Sequence, residues 1–399
     1  MKHLRPVAII LILLLSIAFG ACRKRSTGNQ PPQGAEVATA PTPEQYHQDN
    51  GGATTAVAPK FFKGSIGSRL GLEMKLVRDG DHITGSYSYQ KVGAKIDLRG
   101  TIDKDNNVSL DEFDTAGKQT GVFKGSWTTD KEDGLAAIAG NWSHPDGEKK
   151  TAFSVHEEPI EFTGGVELST KQVKETNKKL GYTIDAQYPQ AGGGLDNRFD
   201  KFNQEVKGFA TKLVNDFKKE MVDAAKDAAA NPADPTASPE AKSTMPPSSL
   251  DLGYSIALAK DDFVSVKFEL ESYSSGAAHP NSSSNVINFD VKAGKTLRLA
   301  DLFNPGAKYV QSISAYCVKD LTQRSKSKDS MLDDTSIQNG AGPNADNYRS
   351  WAITKKGLEI TFDPYQVASY AAGPQTVMIP YSALKDLIKP DGPLGPFAK

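Results

Sequence analysis

The chain is short of cysteine, of surplus charge and of long apolar runs. Only two cysteines occur in 399 residues, which excludes a multi-bridge disulfide scaffold and a cysteine-rich zinc site. Forty-seven Lys and Arg stand against 48 Asp and Glu, for a formal net charge of -1. That balance excludes a strongly basic nucleic-acid binder, whose phosphate contacts need a surplus of cations. No Gly-x-Ser-x-Gly elbow, His-Glu-x-x-His helix, phosphate-binding loop or dinucleotide fingerprint occurs, so no nucleophile–base set is recognisable from spacing and no enzyme is expected. His82, His144 and His156 are scattered, without metal-ligand spacing. They are expected at the surface, and neither a metal nor a cofactor is expected.

What the chain does have begins at its N-terminus. Lys2 and Arg5 precede an apolar stretch over 7–15, and the small residues Gly20 and Ala21 precede Cys22. Residues 1–21 therefore read as a secretory signal, since the apolar run, interrupted by Ser16, is short for a membrane span. Phe19-Gly20-Ala21-Cys22 resembles the lipobox of bacterial lipoproteins, with Phe19 where leucine is usual. The resemblance implies a lipid on Cys22 that anchors the protein in the cell envelope, at the outer membrane or the periplasmic face of the inner membrane. Ordinary cleavage leaving a free Cys22, or an uncleaved anchor, are the alternatives. With Cys22 lipidated, Cys317 has no partner in the chain. It shares a helical face with Tyr309, Ile313 and Tyr316 and is expected to be buried as a small hydrophobe.

Composition then divides the chain. Residues 22–60 are rich in Pro, Gln, Thr, Ala and Gly, cannot bury enough apolar area to offset their ordering entropy, and are expected to be a disordered tether. Residues 61–158 alternate with a short period. Strands are expected over 62–66, 70–77, 82–89, 95–102, 108–113, 121–127, 136–142 and 151–156, with turn chemistry at Asp79-Gly80, Asp105-Asn106-Asn107 and Pro145-Asp146-Gly147. A weak repeat runs through them: Gly85-Ser86-Tyr87, Gly100-Thr101-Ile102, Gly125-Ser126-Trp127 and Gly140-Asn141-Trp142. Sequential strands with tight turns predict an all-β up-and-down meander that closes, or nearly closes, into a small barrel. Its mouth can hold a small apolar ligand, but Tyr87, Trp127, Trp142 and Phe153 are expected to fill the interior instead.

The remainder, 159–275 and 276–390 with a tail at 391–399, reads as α+β. A strand at 180–188 is expected to stop at Pro189. Phe199, Phe202, Val206, Phe209, Leu213, Phe217 and Met221 fall at spacings of three and four, predicting a long amphipathic helix across an antiparallel sheet, capped by Asp196 or Asn197. Leu252, Tyr254, Ile256 and Leu258 alternate on one strand, with Val264, Val266, Phe268 and Leu270 on its hairpin partner. Residues 329–348, rich in Gly, Asn and Asp, read as a surface excursion. No βαβ rhythm is apparent.

Several stretches of this part carry a family resemblance. They are Tyr273-Ser274-Ser275-Gly276-Ala277-Ala278-His279-Pro280-Asn281, Asn288-Phe289-Asp290-Val291-Lys292-Ala293-Gly294-Lys295, Leu299-Ala300-Asp301-Leu302-Phe303, the segment from Asp363-Pro364-Tyr365 to Tyr370-Ala371-Ala372-Gly373-Pro374, and Ile379-Pro380-Tyr381. In this order they resemble the extracellular domains of RsiV-type anti-sigma factors and, in part, the region preceding the catalytic domain of PdaC-type peptidoglycan deacetylases. The family usually has Gly-Gly-Ala-His where this chain has Gly276-Ala277-Ala278-His279. The resemblance implies an envelope-facing binding module without catalysis, whose partner is lysozyme or cell-wall peptidoglycan. By residue type and loop position, His279, Asn281, Tyr365 and Tyr370 are the candidate binding residues. A loop histidine can equally hold its loop through the backbone, and the tyrosines can pack beneath it. A small-ligand carrier barrel and an unrecognised peptidoglycan-modifying enzyme are the alternative functions.

Overall fold

The computed structural model describes residues 58–397 except 69, 90–93, 195–196 and 231–244. The signal, Cys22, nearly all of the tether and the cap at Asp196 lie outside these residues. Eight strands come first: β1 (Lys60–Ile66), β2 (Leu70–Asp79), β3 (His82–Tyr89), β4 (Lys95–Ile102), β5 (Asn107–Phe113), β6 (Gln119–Thr129), β7 (Ala136–Ser143) and β8 (Thr151–Glu158). Each pairs antiparallel with the next, and β8 returns to β1, closing the barrel. The Gly repeat explains the tight closure. Gly125 and Gly140 face each other across β6 and β7, and a Cβ on Gly125 would stand 2.3 Å from the Ala139 carbonyl oxygen. No other residue fits so close an approach.

Tyr87, Phe123, Trp127 and Phe153 are buried inside, edge to face, with Phe123 5.5 Å from Tyr87 and 5.0 Å from Phe153. Trp142 is half-buried. Its indole Nε1 donates to Glu112 Oε2 at 2.8 Å, as does the Tyr87 hydroxyl at 2.8 Å, while Thr120 donates to Oε1 at 2.7 Å. Three donors thus satisfy one buried carboxylate. Burial, with help from Tyr89 and Glu112, pushes the Tyr87 hydroxyl far above the ordinary tyrosine range.

The barrel meets the following sheet through polar groups. Lys63 Nζ donates to the Tyr254 carbonyl at 2.7 Å and lies 3.8 Å from its ring centre. Thr170 bridges Glu73 and the Tyr254 hydroxyl, and the Ile256 amide donates to Glu158 at 3.2 Å. Lys356 reaches Asp130 at 3.0 Å and Asp133 at 3.3 Å.

The large sheet has seven strands: β9 (Ile160–Glu161), β10 (Glu167–Asn177), β11 (Tyr182–Gly192), β12 (Ser248–Lys260), β13 (Phe263–Tyr273), β14 (Asn281–Asp290) and β15 (Lys295–Thr296), with β10 to β15 in sequential order and β9 beside β12. The helix α1 (Asp200–Ala230) lies on one face. Its buried stripe is Phe202, Val206, Ala210, Val214, Phe217 and Met221, so Phe209 and Leu213 flank the stripe and Phe199 precedes the helix. Asn203 ties α1 to β11, accepting from the Ala191 amide and donating to its carbonyl, both at 2.8 Å.

Four local expectations are corrected. Pro189 lies inside β11 rather than ending it, because β12 pairs with β11 only as far as Ala186. A missing N–H there interrupts no two-sided ladder. Secondly, β11 and β12 are parallel and are joined through α1, one βαβ crossover in an otherwise mainly antiparallel sheet. Thirdly, a register shift between Ile256 and Leu258 turns Leu258 to the opposite face. Leu250, Leu252, Tyr254, Ile256 and Ala259 pack toward α1, whereas Leu258 joins the second core, the outcome of one extra residue in a strand. Fourthly, 329–348 is no surface excursion. It contains α3 (Asp334–Gly340), and Ile337, Ala341 and Tyr348 are buried in that second core.

The second core lies between the large sheet, α2 (Tyr309–Ser325), α3 and a three-stranded antiparallel sheet of β16 (Ser350–Ile353), β17 (Gly357–Phe362) and β18 (Gln375–Pro380). Cys317 is buried there on α2, and burial pushes its thiol up to about 12. One buried side chain joins the two sheets. Asn288 of β14 accepts from Ser265 Oγ at 2.7 Å and the Ile353 amide at 3.3 Å, and donates to the Trp351 carbonyl at 2.8 Å. The architecture is an all-β barrel followed by an α+β region. No helix among the described residues is long and apolar enough to cross a membrane.

Candidate functional site

Two connections converge beside the joint between the sheets, one from β13 to β14 and one from β17 to β18. The first carries His279 and the second carries Tyr365 and Tyr370. The His279 and Tyr370 rings stack with centres 3.9 Å apart and planes 22° from parallel. Tyr365 stands 5.6 Å from Tyr370 and 6.4 Å from His279 between ring centres, with its hydroxyl 3.3 Å from His279 Nε2. The Pro280 carbonyl is the hub, taking the Tyr370 hydroxyl at 2.8 Å and lying 2.8 Å from His279 Nδ1.

The connections are held from beneath. Ser284 of β14 donates its amide to Asp363 at 2.7 Å. Gln366 donates to the carbonyls of Gly340 and Asn347, both at 2.9 Å, and Val367 and Ala368 are buried. On this base Tyr365 adopts a φ of 71°, unusual for a residue other than glycine, and its side chain is 64% exposed. In the other connection Gly276 takes the left-handed φ, at 89°, while Ala277 does not. Alanine in place of the family's second glycine therefore costs the loop no conformation that it needs.

Three of the four sequence-predicted residues thus form one ring cluster. Asn281 is exposed at the start of β14, opposite Ser272, and no described hydrogen bond joins its side chain to the rings. His82 and His156 are exposed and His144 is half-buried. Among the described residues no group of three or more His, Cys, Asp or Glu is placed to hold a metal ion. Sequence reasoning did not single out Gln366 and Ser284, the supports of the cluster. Gln366 stands within the family stretch but carried no mark of its bridging role.

A volume of about 670 Å³ lies elsewhere, among Glu161, Arg198, Lys260, Asp261, Asp262 and Lys292. Its charges are paired with one another: Lys260 with Glu161, Arg198 with Asp261 and Lys292 with Asp262.

Comparison with known proteins places these features. Residues 175–282 match the family described as deacetylase PdaC, and residues 300–382 match a family of proteins of unknown function, DUF3298. The peptidoglycan-N-acetylmuramic acid deacetylase PdaC of Bacillus subtilis is 27% identical over 226 residues, which are 57% of this chain and 42% of that protein. The match thus spans less than half of the relative's length. Among solved structures, a DUF3298 protein of Bacteroides fragilis aligns with 18% identity and a TM-score of 0.43, over 59% of this chain and 98% of its own. Another, from Pseudomonas aeruginosa, aligns with 16% identity and a TM-score of 0.38, over 56% and 95%. The α+β half of the chain is thus similar, segment by segment, to the PdaC and DUF3298 families.

Proposed function

We propose that the protein is a non-catalytic binding protein of the cell envelope, anchored by a lipid on Cys22, that holds cell-wall glycan at the His279–Tyr365–Tyr370 cluster. The observation that carries the reading is Tyr365, a large aromatic ring 64% exposed on a braced loop, beside a stacked histidine–tyrosine pair. Aromatic side chains with an apolar face and a polar tip serve as contact anchors, and rigid ones lose little entropy on binding. The matched part of the Bacillus relative belongs to a protein named for acting on peptidoglycan, which favours a glycan over an unrelated ligand. The barrel's filled interior favours a structural role over carriage of a small apolar ligand.

The test is calorimetric titration of the full chain in mild detergent with soluble peptidoglycan fragments and, separately, with lysozyme. Saturable glycan binding, weakened at least about fivefold by Tyr365→Ala or Tyr370→Ala as expected for the loss of an anchor, supports the reading. Binding of lysozyme alone would replace it with protein capture, and fragment turnover abolished by His279→Ala would make the protein an enzyme. Release of the protein from membranes by Cys22→Ser tests the anchor.

A further inference from the structure

The polarity of the ring cluster can be worked out atom by atom, and it selects among ligands. A carbonyl oxygen only accepts hydrogen bonds, so at 2.8 Å from the Pro280 carbonyl His279 Nδ1 must carry a proton. In the neutral ring Nε2 is then a bare acceptor, and the Tyr365 hydroxyl, 3.3 Å away, is placed to donate to it. Tyr370 also spends its proton on Pro280, at 2.8 Å. With the ring neutral, every polar hydrogen of the three side chains is thus committed within the cluster. What the exposed Tyr365 then offers a ligand is the lone-pair side of its oxygen, beside rings whose faces are electron-rich.

We infer that the Pro280 carbonyl, by fixing the tautomer of His279, makes this cluster an acceptor-only face that takes donor-bearing, neutral or cationic sugars and rejects anionic ones. The inference rests on the glycan reading for its ligand but not for its chemistry. A hydroxyl or ammonium group can donate to Tyr365, and an ammonium also gains from the ring faces. A carboxylate finds no donor among these three side chains and meets the same negative ring faces.

Two measurements on the full chain separate the inference from the reading beneath it. Nitrogen chemical shifts of the imidazoles, from protein labelled with 15N-histidine and assigned by the signal lost in His279→Asn, are expected to show His279 protonated at Nδ1 and bare at Nε2. Tyr365→Phe should then move the Nε2 resonance and leave Nδ1 in place. The opposite tautomer, or rapid exchange between both, overturns the inference whether or not any sugar binds. Titration with chitotetraose, a chitosan tetramer and tetragalacturonate should give the acidic sugar an affinity at least about tenfold below the other two. The preference should persist in Tyr365→Phe, which removes a proton already committed to Nε2 and adds no donor, and its reversal there would overturn the acceptor-only assignment. Tightest binding of tetragalacturonate would refute the selectivity. Failure of all three sugars with the expected tautomer would refute the glycan reading and the ligand class, and leave the acceptor-only assignment standing.

Discussion

Asn288→Leu should loosen the three-stranded sheet while leaving the barrel intact. The side chain is 2% exposed and serves the Trp351 carbonyl, the Ile353 amide and the Ser265 hydroxyl. Leucine has similar bulk, so water does not simply replace the lost amide, and the three polar groups stay buried without that partner. Each such group costs about 1–3 kcal/mol, although the hydroxyl can turn elsewhere and the leucine gains about 1–2 kcal/mol from its own burial. A net loss of about 2–4 kcal/mol follows. Hydrogen exchange followed by mass spectrometry reads this locally and avoids assuming a single unfolding step for several cores. Amides of β16 (Ser350–Ile353) should exchange about thirty- to a thousand-fold faster, that loss converted at about 1.4 kcal/mol per decade. Peptides from β1 to β8 should be unchanged. Exchange in β16 within about threefold of the wild type would show that Asn288 does not hold the joint.

Cys317, with its thiol pushed up to about 12 by burial, should resist alkylation at neutral pH until the protein is unfolded; rapid labelling of the Cys317 peptide in native protein would contradict its burial. Gly125→Ala should destabilise the barrel by at least about 1–3 kcal/mol, because the new methyl would lie 2.3 Å from the Ala139 carbonyl oxygen; an unchanged urea midpoint for barrel peptides would refute the close approach. Burial holds the Glu158 carboxyl above the ordinary glutamate range, against the opposing pull of Lys63. The folded protein keeps that proton to higher pH than the unfolded chain, so this group's contribution to stability falls as pH climbs from the ordinary glutamate range through the raised value, then levels off. Glu158→Gln should remove that fall, and urea midpoints from about pH 4 to about pH 8 that run parallel in variant and wild type would refute the assignment.

The barrel was legible because its information is local. Period-two alternation and Gly-containing turns mark its strands, and each strand pairs with its neighbour in sequence, so order along the chain is order around the barrel. The α+β region was legible where a pattern stood alone, as in the stripe on α1. It was not legible where pairing partners are distant. β10 was missed because it alternates exposed and half-exposed residues such as Thr170, Lys171 and Gln172, the polar dress of an edge strand. The shift at Ile256/Leu258 leaves no mark because Ala257, Leu258 and Ala259 are all apolar, and either register buries something suitable. Residues 329–348 looked like a loop because three anchors, Ile337, Ala341 and Tyr348, are diluted among polar neighbours. The ring cluster was half legible. His279, Tyr365 and Tyr370 were singled out by residue type and resemblance, but 86 residues separate His279 from Tyr365, and only the fold brings them together.

The family stretches make sense as one mechanical unit rather than as separate contact sites. Tyr273 holds its own loop through the Gly276 amide at 3.3 Å. Asn288 fixes β14 against β16. Leu302 takes the Lys389 amide at 3.0 Å, and Phe303 bridges to Ile388, closing the C-terminal segment over the second core. Tyr381 ties that segment back to the Thr354 carbonyl at 2.7 Å. Asp363 then hangs the β17–β18 connection from Ser284 of β14, and Pro280, at the other end of the same arrangement, collects the side chains of His279 and Tyr370. Each quoted stretch supplies a brace or a buried anchor, and only the two loop stretches also supply the rings of the cluster, of which Tyr365 is the exposed one. A ligand stacking on Tyr365 would therefore read a position set by β14, which pairs with β13 along its length and which Asn288 holds against β16. Weakening that joint should degrade binding at the rings even though Asn288 itself is buried away from any ligand.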